Sequence, residues 1–594
     1  MIATSGAPLS KHPVPVLINA SVNTSAVPDS RGINLYEVDP QARALFSLYL
    51  PADLNAHLQP HFIRLGKLAG GHLDELAGIA DKNGPTLSVR GRSGLDENRV
   101  LKHPAYVEME RLAFADFGLA ALSHRPGVLG WPAPMPPAAK YALTYLFVQA
   151  EFGLCCPVSM TDSLARTLRK FGEPALVERY LPMLTTLDFD QLHQGAMFMT
   201  EQAAGSDVSA TQTTAALAAD GGWRLHGDKW FCSNADAGFA MVLARSERVA
   251  PEHSGLKGIS LFLLPRELAD GSHNSYRILR LKEKLGTRSM ASGEIRLDGA
   301  HAYLIGERGK GFKLMADMIN NSRLSNGVRA AGLMRRALTE ALFVASHRVA
   351  FGKRLIELPL MQRQLLKMMV WTEQARTMVF QTAQALDAAD RGDANAKALA
   401  RILTPLIKFR ACRDARKVTG DAMEVRGGCG YIEEWSDARL VRDAHLGSIW
   451  EGTSNIVALD VLRAIAREGS LPVLREQVLG LIDAAATDSD LSVHRAAAER
   501  ALAFADAAAS SATAQGEAKP HLARQAASAL YHVVTMAGLL CEAGQAGLPQ
   551  RTLLANLVLE HRLAARDPLM DSPSASDPRY VQMLLAEAQG VAKF

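Results

Sequence analysis

The sequence has little of what marks a secreted, membrane-bound or metal-binding protein. It contains no run of about 18 uninterrupted apolar residues, which argues against a membrane-spanning helix. The N-terminus, MIATSGAPLSKHPVPV, lacks the apolar stretch of a secretory signal, so the expected location is cytoplasmic. The six cysteines form no CxxC pair and no disulfide framework, as expected in a reducing compartment, and no metal site is predicted.

The chain also has little excess of one charge over the other. The formal net charge is only +4 over 594 residues, so charge gives no signature of nucleic-acid or membrane binding. The chain is 48% hydrophobic and 21% charged, which is typical of a globular protein. Because 594 residues are too many for one compact core, we expect several packed domains.

Hydrophobic periodicity and turn residues divide the chain into helical and strand-rich parts, an α+β multidomain class. Helical patterns dominate on both sides of a segment of short β-type runs separated by Gly, Asp, Pro and Asn. The expected ranges are an irregular N-terminal lead at 1–45, a helical domain at 46–195, a β domain at 196–305, a helical bundle at 306–468 and a helical tail at 469–594.

Two clusters in the middle of the chain combine small, polar and aromatic residues. Residues 197–207 read MFMTEQAAGSD, where Gly205 and Ser206 let the backbone approach a ligand and expose a hydroxyl and an N–H. Residues 229–234 read KWFCSN, in which a hydroxyl follows aromatic bulk. Taken alone, the first is explained equally well as a surface turn and the second as packing.

Two further clusters lie late in the predicted bundle. Residues 422–434 read AMEVRGGCGYIEE, and three glycines within four positions allow exposed backbone donors suited to a phosphate. Residues 449–456 read IWEGTSNI and set Glu451 between Trp450 and Gly452. Taken alone, Glu451 is also explained as a carboxylate at a helix start, which the helix dipole favours.

In this order and spacing the four clusters resemble those of the acyl-CoA dehydrogenase family, most closely its AidB-type subgroup, which is linked to the bacterial alkylation response. HRVAFGKRLIELPLMQ at 347–362 is similar to another family element. The resemblance covers roughly residues 150–467. It implies an all-helical N-terminal domain, a middle β-barrel and a C-terminal four-helix bundle, here with an extra helical tail.

The resemblance also implies a site for FAD and an acyl-CoA thioester. Glu451 matches the catalytic base, Arg323 an arginine lining the acyl-CoA site, and Ser206 a contact to both flavin and thioester. The other matches are FAD contacts: Met199, Thr200, Phe231 and Ser233 at the flavin ring, Gly427 and Gly428 at the pyrophosphate, Arg348, Phe351 and Gln362 at an adenosine half bound largely to a neighbouring subunit, and Thr453 and Asn455 elsewhere on the cofactor.

Three positions depart from the family pattern. Phe231 replaces a tryptophan beside the flavin, and Glu424 replaces a glutamine before the pyrophosphate glycines. Ser322 stands where a branched-chain subgroup carries its base, immediately before Arg323. Glu451 is therefore the one candidate base, while the first two changes leave the substrate open.

The implied reaction is an α,β-dehydrogenation. Because the α-proton of a thioester is weakly acidic, a carboxylate must reach it away from bulk water, where burial makes it a better base. Glu451 is expected to take this proton while the β-hydride passes to flavin N5, which leaves a 2,3-enoyl-CoA. Backbone N–H groups near Glu451 and a flavin ribityl hydroxyl are expected to hold the thioester carbonyl.

Two alternatives keep the same fold. An AidB-like flavoprotein would have weak dehydrogenase activity and act in the alkylation response by binding DNA or another partner. An acyl-CoA oxidase would pass electrons to O2 instead of to an electron-transfer flavoprotein. Nothing in the sequence separates an oxidase from a dehydrogenase. The shared adenosine positions predict a homo-oligomer, expected to be a tetramer built as a pair of dimers.

The tail argues against DNA binding. Residues 469–594 carry ten Lys and Arg against thirteen Asp and Glu, a net charge of −3. Because sequence-independent DNA affinity comes mainly from cations that displace counterions, we expect the tail to contribute little to it. The tail is expected instead to pack its apolar stretch YHVVTMAGLL at 531–540 against the bundle and other subunits. Clustering of Arg562, Arg566 and Arg579 on one face is the alternative that this count leaves open.

Overall fold

A computed structural model gives the fold of most of the chain. The residues it describes are 27–247, 254–485, 490–510, 519–567, 569–570, 572, 574 and 577–593. Most of the predicted irregular lead, residues 1–26, lies outside them. The remainder of that lead is packed, and the prediction is wrong there: α1 (Pro40–Tyr49) begins inside it, and Ile33 and Val38 are buried. Asp39 caps this helix by accepting a hydrogen bond from the Ala42 N–H at 2.9 Å.

Seven α-helices form the N-terminal part that the structure describes, and Phe152, which lies between α5 and α6, reaches the site described below. Their bounds are α1 (Pro40–Tyr49), α2 (Ala52–Ala69), α3 (His72–Lys82), α4 (Pro104–Arg111), α5 (Pro137–Phe147), α6 (Cys155–Phe171) and α7 (Pro174–Thr185). A hairpin that the sequence did not predict lies here, formed by β1 (Thr86–Arg90) and β2 (Asp96–Leu101) around a turn with glycines at 91 and 94.

The middle part is a β-barrel, as the resemblance implied. Its strands are β3 (Gly195–Phe198), β4 (Thr214–Leu217), β5 (Trp223–Ser233), β6 (Phe239–Arg245), β7 (Ile259–Pro265), β8 (Tyr276–Leu281) and β9 (Ser292–Ile305). Pairing runs β4–β5–β9–β7–β6 and returns from β6 to β4, so the ring closes, with β3 added at β6 and β8 at β9. Closure leaves most strand edges paired.

Three long helices dominate the part that follows the barrel. The elements are α8 (Gly311–His347), β10 (Val349–Ala350), β11 (Lys353–Arg354), α9 (Pro359–Asp390), α10 (Ala394–Arg426), α11 (Gly428–Tyr431), α12 (Ser436–Gly447) and α13 (Ser454–Glu468). α10 packs against α8, α9, α12 and α13. The loop between α12 and α13 therefore lies close to the buried middle of α8, where Glu451 meets Ser322.

The tail packs on this bundle, which confirms that part of the expectation for its apolar stretch, while packing against other subunits stays a prediction. Its helices are α14 (Ser470–Asp483), α15 (Ser492–Ser510), α16 (Ala523–Gln545), α17 (Gln550–Val558) and α18 (Pro578–Ala592). Residues 531–540 on α16 are all buried. The segment Pro520–Gln545 is long and apolar enough to cross a membrane by composition alone, yet its most apolar window is 89% buried inside the protein. It is therefore a core helix in this fold.

Buried ion pairs join the two ends of the chain to the bundle. Asp39 lies 3.1 Å from Arg335 of α8 and 2.7 Å from Arg376 of α9. Arg376 also pairs with Glu373, which lies 2.7 Å from Arg551 of α17. Removing one member of such a buried pair typically costs about 3–5 kcal/mol, because its partner is left charged and desolvated. The tail is therefore part of the central core.

Candidate functional site

Glu451 lies on a strained loop between α12 and α13. Its backbone φ is +57°, a left-handed value that is uncommon for a residue with a side chain, and Gly452 follows with φ +103°. Two buried cations hold the carbonyls of this loop. Arg323 Nε donates to the Glu451 carbonyl at 3.1 Å, and Lys408 Nζ donates to the Gly452 carbonyl at 2.7 Å. The strain is thus maintained from α8 and α10.

The Glu451 side chain is 5% exposed and its two oxygens differ. Oε1 accepts a hydrogen bond from the Ser322 hydroxyl and lies 3.7 Å from Arg329 Nη2. Oε2 has no hydrogen-bond partner among the residues that the structure describes. One oxygen is therefore fixed, and the other is left available in a site shielded from water.

Arg323 is anchored by a buried carboxylate. Its Nη1 donates to Asp460 at 2.8 Å, and Arg401 donates to the other oxygen of Asp460 at the same distance. Burial alone would raise the pKa of Asp460, but Arg323 and Arg401 hold that pKa below its ordinary value. Asp460 thus stays charged and fixes the arginine that holds the Glu451 loop.

Aromatic and cationic side chains enclose the base. Trp450 stacks on Phe152 with ring centroids 5.9 Å apart, and the guanidinium of Arg329 lies 4.5 Å from the Trp450 centroid. Burial lowers the pKa of Lys408, against the opposing effects of Cys412 and Glu451. The surroundings of Glu451 therefore combine a dry aromatic wall with positive charge.

The positions matched to the flavin ring come together on the barrel. Met199 and Thr200 follow β3, and the Trp230 N–H of β5 donates to the Thr200 carbonyl at 2.9 Å. Phe231 is 59% exposed, so the side chain that replaces the family's tryptophan faces outward. The displaced Trp230 instead makes a cation–π contact with Lys282, whose Nζ lies 3.4 Å from the centroid of the Trp230 ring.

The turn that carries Ser206 is tied to the barrel by a buried ion pair. Lys229 Nζ donates to Glu201 at 2.6 Å, and neither side chain is more than 5% exposed. Ser206 itself is exposed, and a Cβ added at Gly205 would meet no described atom within 4 Å. The turn has open space in front of its backbone and hydroxyl.

The adenosine and pyrophosphate positions form a separate surface group. Arg348 Nη1 donates to the Arg426 carbonyl at 3.1 Å and thereby lies beside Gly427, whose φ is +75°. Phe351 is 94% exposed at the tip of the β10–β11 hairpin, and Gln362 Nε2 donates to the Ile356 carbonyl at 3.0 Å. The departure Glu424 and the remaining matches Gly428, Thr453 and Asn455 are also exposed.

A second titratable cluster lies where the barrel meets α12. Burial, followed by the neighbouring Glu151, raises the pKa of Asp443 to about 7. Asp443 accepts a hydrogen bond from the Thr287 N–H at 2.6 Å. Burial lowers the pKa of Lys284 to about 8, with Cys156 and Asp443 opposing the shift. These groups connect the strands of the barrel to the helix that precedes Glu451.

Several residues around the base were not predicted from the sequence. Arg329 and Lys408 are isolated basic residues within helices, and Asp460 follows the motif by four positions. A charged residue in the buried stretch NGVRAAGLM was the available signal for Arg329, since fully buried arginines are rare. Nothing in the sequence pairs Asp460 with Arg323.

Family models match nearly all of the first three parts of the chain. The acyl-CoA dehydrogenase C-terminal domain matches residues 309–466, and the acyl-CoA dehydrogenase middle domain matches 196–300. The N-terminal domain of the adaptive response protein AidB matches residues 25–191.

Individual relatives agree with these matches. Acyl-CoA dehydrogenase family member 11 of Caenorhabditis elegans is 30% identical, over 91% of this chain and 88% of its own. The putative acyl-CoA dehydrogenase AidB of Escherichia coli is 34% identical, over 67% of this chain and 72% of its own. The crystal structure of C. elegans ACDH-11 in complex with C11-CoA superposes with a TM-score of 0.83 at 26% identity, covering 92% of this chain and 95% of that one. The chain belongs to the acyl-CoA dehydrogenase family and is an FAD-dependent oxidoreductase.

Proposed function

We propose that the protein oxidises an acyl-CoA thioester to the 2,3-enoyl-CoA, with Glu451 as the base that removes the α-proton. The supporting observation is the asymmetric carboxylate: Ser322 holds Oε1, while Oε2 has no partner among the described residues. A base needs one free oxygen within reach of its proton, and burial keeps water from competing for it. The C11-CoA bound to the related worm protein supports an acyl-CoA as substrate.

The chain offers features suited to FAD. Open space lies in front of Gly205 and Gly428, where an added Cβ would meet no described atom within 4 Å. Such exposed backbone suits close approach by a cofactor. Arg348 lies beside the Gly427 turn and supplies a cation for a pyrophosphate. FAD, when bound, supplies the oxidising power that accepts the substrate's β-hydride.

The protein's own residues position and deprotonate the substrate. Ser322 orients the carboxylate of Glu451, and Arg323 and Lys408 hold the loop that carries it. Oε2 accepts the α-proton, so Glu451 becomes neutral as negative charge develops on the thioester. Trp450 and Phe152 keep water from this side of the base. Ser206, on its open turn, is the residue we assign to both thioester and cofactor.

The electron acceptor is the point at which two functions diverge. We assign an electron-transfer flavoprotein as acceptor and an acyl-CoA oxidase as the competing function. The holoenzyme should be mixed with acyl-CoAs of graded length and branching, with and without air, while the flavin absorbance is followed. Bleaching that persists in air supports a dehydrogenase, whereas rapid reoxidation with peroxide formation supports an oxidase. No bleaching by any acyl-CoA would contradict both and favour the AidB-like role, which the N-terminal match supports.

A further inference from the structure

Arg329 is a fully buried arginine directly beside the base. It lies two helical turns beyond Ser322 on α8, its side chain is 0% exposed, and Nη2 lies 3.7 Å from Glu451 Oε1. Its guanidinium carbon is 4.5 Å from the Trp450 ring centroid and 5.4 Å from that of Phe152. The cation is thus enclosed by the same aromatic wall that shields Glu451.

The hydrogen-bonding capacity of this guanidinium is largely unused. Within the described chain, neither Nη1 nor Nη2 has a hydrogen-bond acceptor, and Nε reaches only the Ser325 carbonyl at 3.4 Å. The separation of 3.7 Å from Glu451 is too long for a hydrogen bond. An arginine remains charged in proteins, so these buried donors call for an acceptor.

The neighbouring carboxylates do not supply that acceptor. Asp460 is already bound by Arg323 and Arg401, and it also pairs with Arg463 at 3.0 Å. Glu451 is the one carboxylate paired with Arg329 among the described residues. In the proposed reaction Glu451 becomes neutral when it takes the α-proton. Arg329 would then be a buried cation with no counter-ion, which is strongly unfavourable.

We infer that Arg329 binds a carboxylate carried by the acyl group, so that the preferred substrates are CoA monothioesters of short dicarboxylic acids. The inference rests on the proposed function of Glu451. A planar guanidinium with both Nη groups free matches a carboxylate through two parallel hydrogen bonds. The substrate carboxylate also compensates the arginine when Glu451 is protonated.

The distances limit the length of the acyl group. The α-carbon must lie about 3–3.5 Å from the base for proton transfer. Arg329 is 3.7 Å from the other oxygen of the same carboxylate. Each carbon–carbon bond spans about 1.5 Å, so a carboxylate about three bonds beyond the α-carbon is within reach of the guanidinium. A glutaryl group meets this requirement, whereas a plain alkyl chain leaves the donors unpaired and is disfavoured.

The test compares glutaryl-CoA with hexanoyl-CoA, which has a similar length but no charge. The kcat/KM of the holoenzyme is measured for each with an artificial electron-accepting dye. We expect wild type to favour glutaryl-CoA, and Arg329→Met to lower the glutaryl-to-hexanoyl ratio about 100-fold, the usual effect of losing charged hydrogen bonds. Arg329→Lys keeps the charge but loses the two parallel donors of the guanidinium. We expect its glutaryl-to-hexanoyl ratio to lie between those of wild type and Arg329→Met. Arg463→Met, at a half-exposed arginine on Asp460, is the matched control and should leave the ratio unchanged.

A binding measurement separates this inference from the proposed reaction. CoA thioethers with a carboxybutyl or a hexyl chain cannot be oxidised, and their affinities for the holoenzyme are measured by calorimetry. Tighter binding of the carboxybutyl compound supports the inference even if no acyl-CoA reduces the flavin, a result that would remove only the proposed reaction. If wild type binds the carboxybutyl compound no more tightly than the hexyl compound, the inference is overturned without any variant. It is also overturned if Arg329→Met lowers kcat/KM for glutaryl-CoA and hexanoyl-CoA by the same factor.

Discussion

Ser322 and Glu451 lie 129 positions apart in the sequence, yet the Ser322 hydroxyl donates a hydrogen bond to Glu451 Oε1. Both side chains are buried, and Nη2 of Arg329, on the same helix as Ser322, lies 3.7 Å from that oxygen. The contact orients the carboxylate from outside its own loop. It also means that a side chain at position 322 reaches the same volume as the base.

Replacing Glu451 with Gln should abolish acyl-CoA-dependent flavin reduction while FAD stays bound. The amide keeps the size of the side chain and can accept from Ser322, but it cannot take a proton. General-base catalysis is worth about 10²–10⁴-fold, and we expect a loss in this range or greater. Stopped-flow flavin absorbance measures it, with Glu468→Gln, at the carboxylate paired with Arg401, as the control. Retention of more than a small fraction of the rate would identify another base.

Moving the carboxylate to position 322 should recover part of the lost activity. In a Ser322→Glu, Glu451→Gln double variant, we expect the new carboxylate to lie near the position where the Ser322 hydroxyl contacts Glu451 in wild type. We expect a rate at least tenfold above that of Glu451→Gln alone, since a general base is again present. Single-turnover flavin reduction gives the comparison. A double variant no faster than Glu451→Gln would show that the two positions do not approach the substrate equivalently.

Asp443 should make the protein less stable as the pH rises toward neutrality. Its pKa of about 7 in the folded protein exceeds the ordinary value of 3.8, so the folded state holds the proton more tightly than the unfolded chain. The stabilisation is complete below about pH 4 and is lost as the pH rises through 7. Each pKa unit corresponds to roughly 1.4 kcal/mol.

The variant Asp443→Asn tests this dependence because its amide oxygen can still accept from the Thr287 N–H. Relative to wild type, we expect this variant to gain roughly 2–3 kcal/mol of unfolding free energy between pH 5 and pH 8. Denaturant unfolding of both proteins at the two pH values measures the gain. A difference between the proteins that does not change with pH would contradict the assignment.

The protein should be a homo-oligomer, and a tetramer is expected. Phe351 is 94% exposed and Arg348 is also exposed, an arrangement suited to binding an adenosine that a second subunit shares. Light scattering of the holoenzyme should give a multiple of the 64.0 kDa chain mass. Phe351→Ser should reduce FAD retention, while Leu217→Ser, at a 60% exposed leucine on the barrel, should not. A monomer saturated with FAD would refute the prediction.

Duplex DNA should not bind through the tail at physiological salt. Arg500 and Arg562 line a recess of about 450 Å³ together with Arg410. Arg562 and Arg566 line a second recess, and Arg579 is not part of its lining. The acidic balance of the tail still opposes phosphate binding. Fluorescence anisotropy with the intact protein and an Arg500→Gln, Arg562→Gln variant tests this. Tight binding with a steep salt dependence that the variant removes would establish the opposite.

The sequence predicted the parts of the site that lie within short motifs. Glu451 and its loop, the Gly205–Ser206 turn and the Gly427–Gly428 turn are local patterns. Short strands separated by turn residues predicted the β domain, and the family resemblance implied that it is a barrel. The roles assigned to individual residues stay predictions. The N-terminal hairpin was missed because β1 and β2 are short and lie inside a region with strong helical periodicity.

Contacts between residues that are far apart in the chain could not be predicted from the sequence. Arg329 and Lys408 lie on long helices, and only the fold shows that Arg329 faces Glu451 and that Lys408 binds the carbonyl of the next residue, Gly452. Asp39 lies in a stretch that reads as irregular, yet two buried arginines from α8 and α9 fix it. Local composition cannot indicate which helix faces will meet, because burial of these charges depends on contacts hundreds of residues apart.

The ion pairs that join Asp39, Arg376, Glu373 and Arg551 affect how the protein responds to proteolysis in the cell. A protease that cut before α17 would remove Arg551 and leave Glu373 and Glu542 short of a counter-charge in the core. Loss of a buried partner destabilises by several kcal/mol, a large share of the stability of a typical fold. We therefore expect C-terminal trimming that removes α17 to unfold the protein, and not to release a shorter working enzyme.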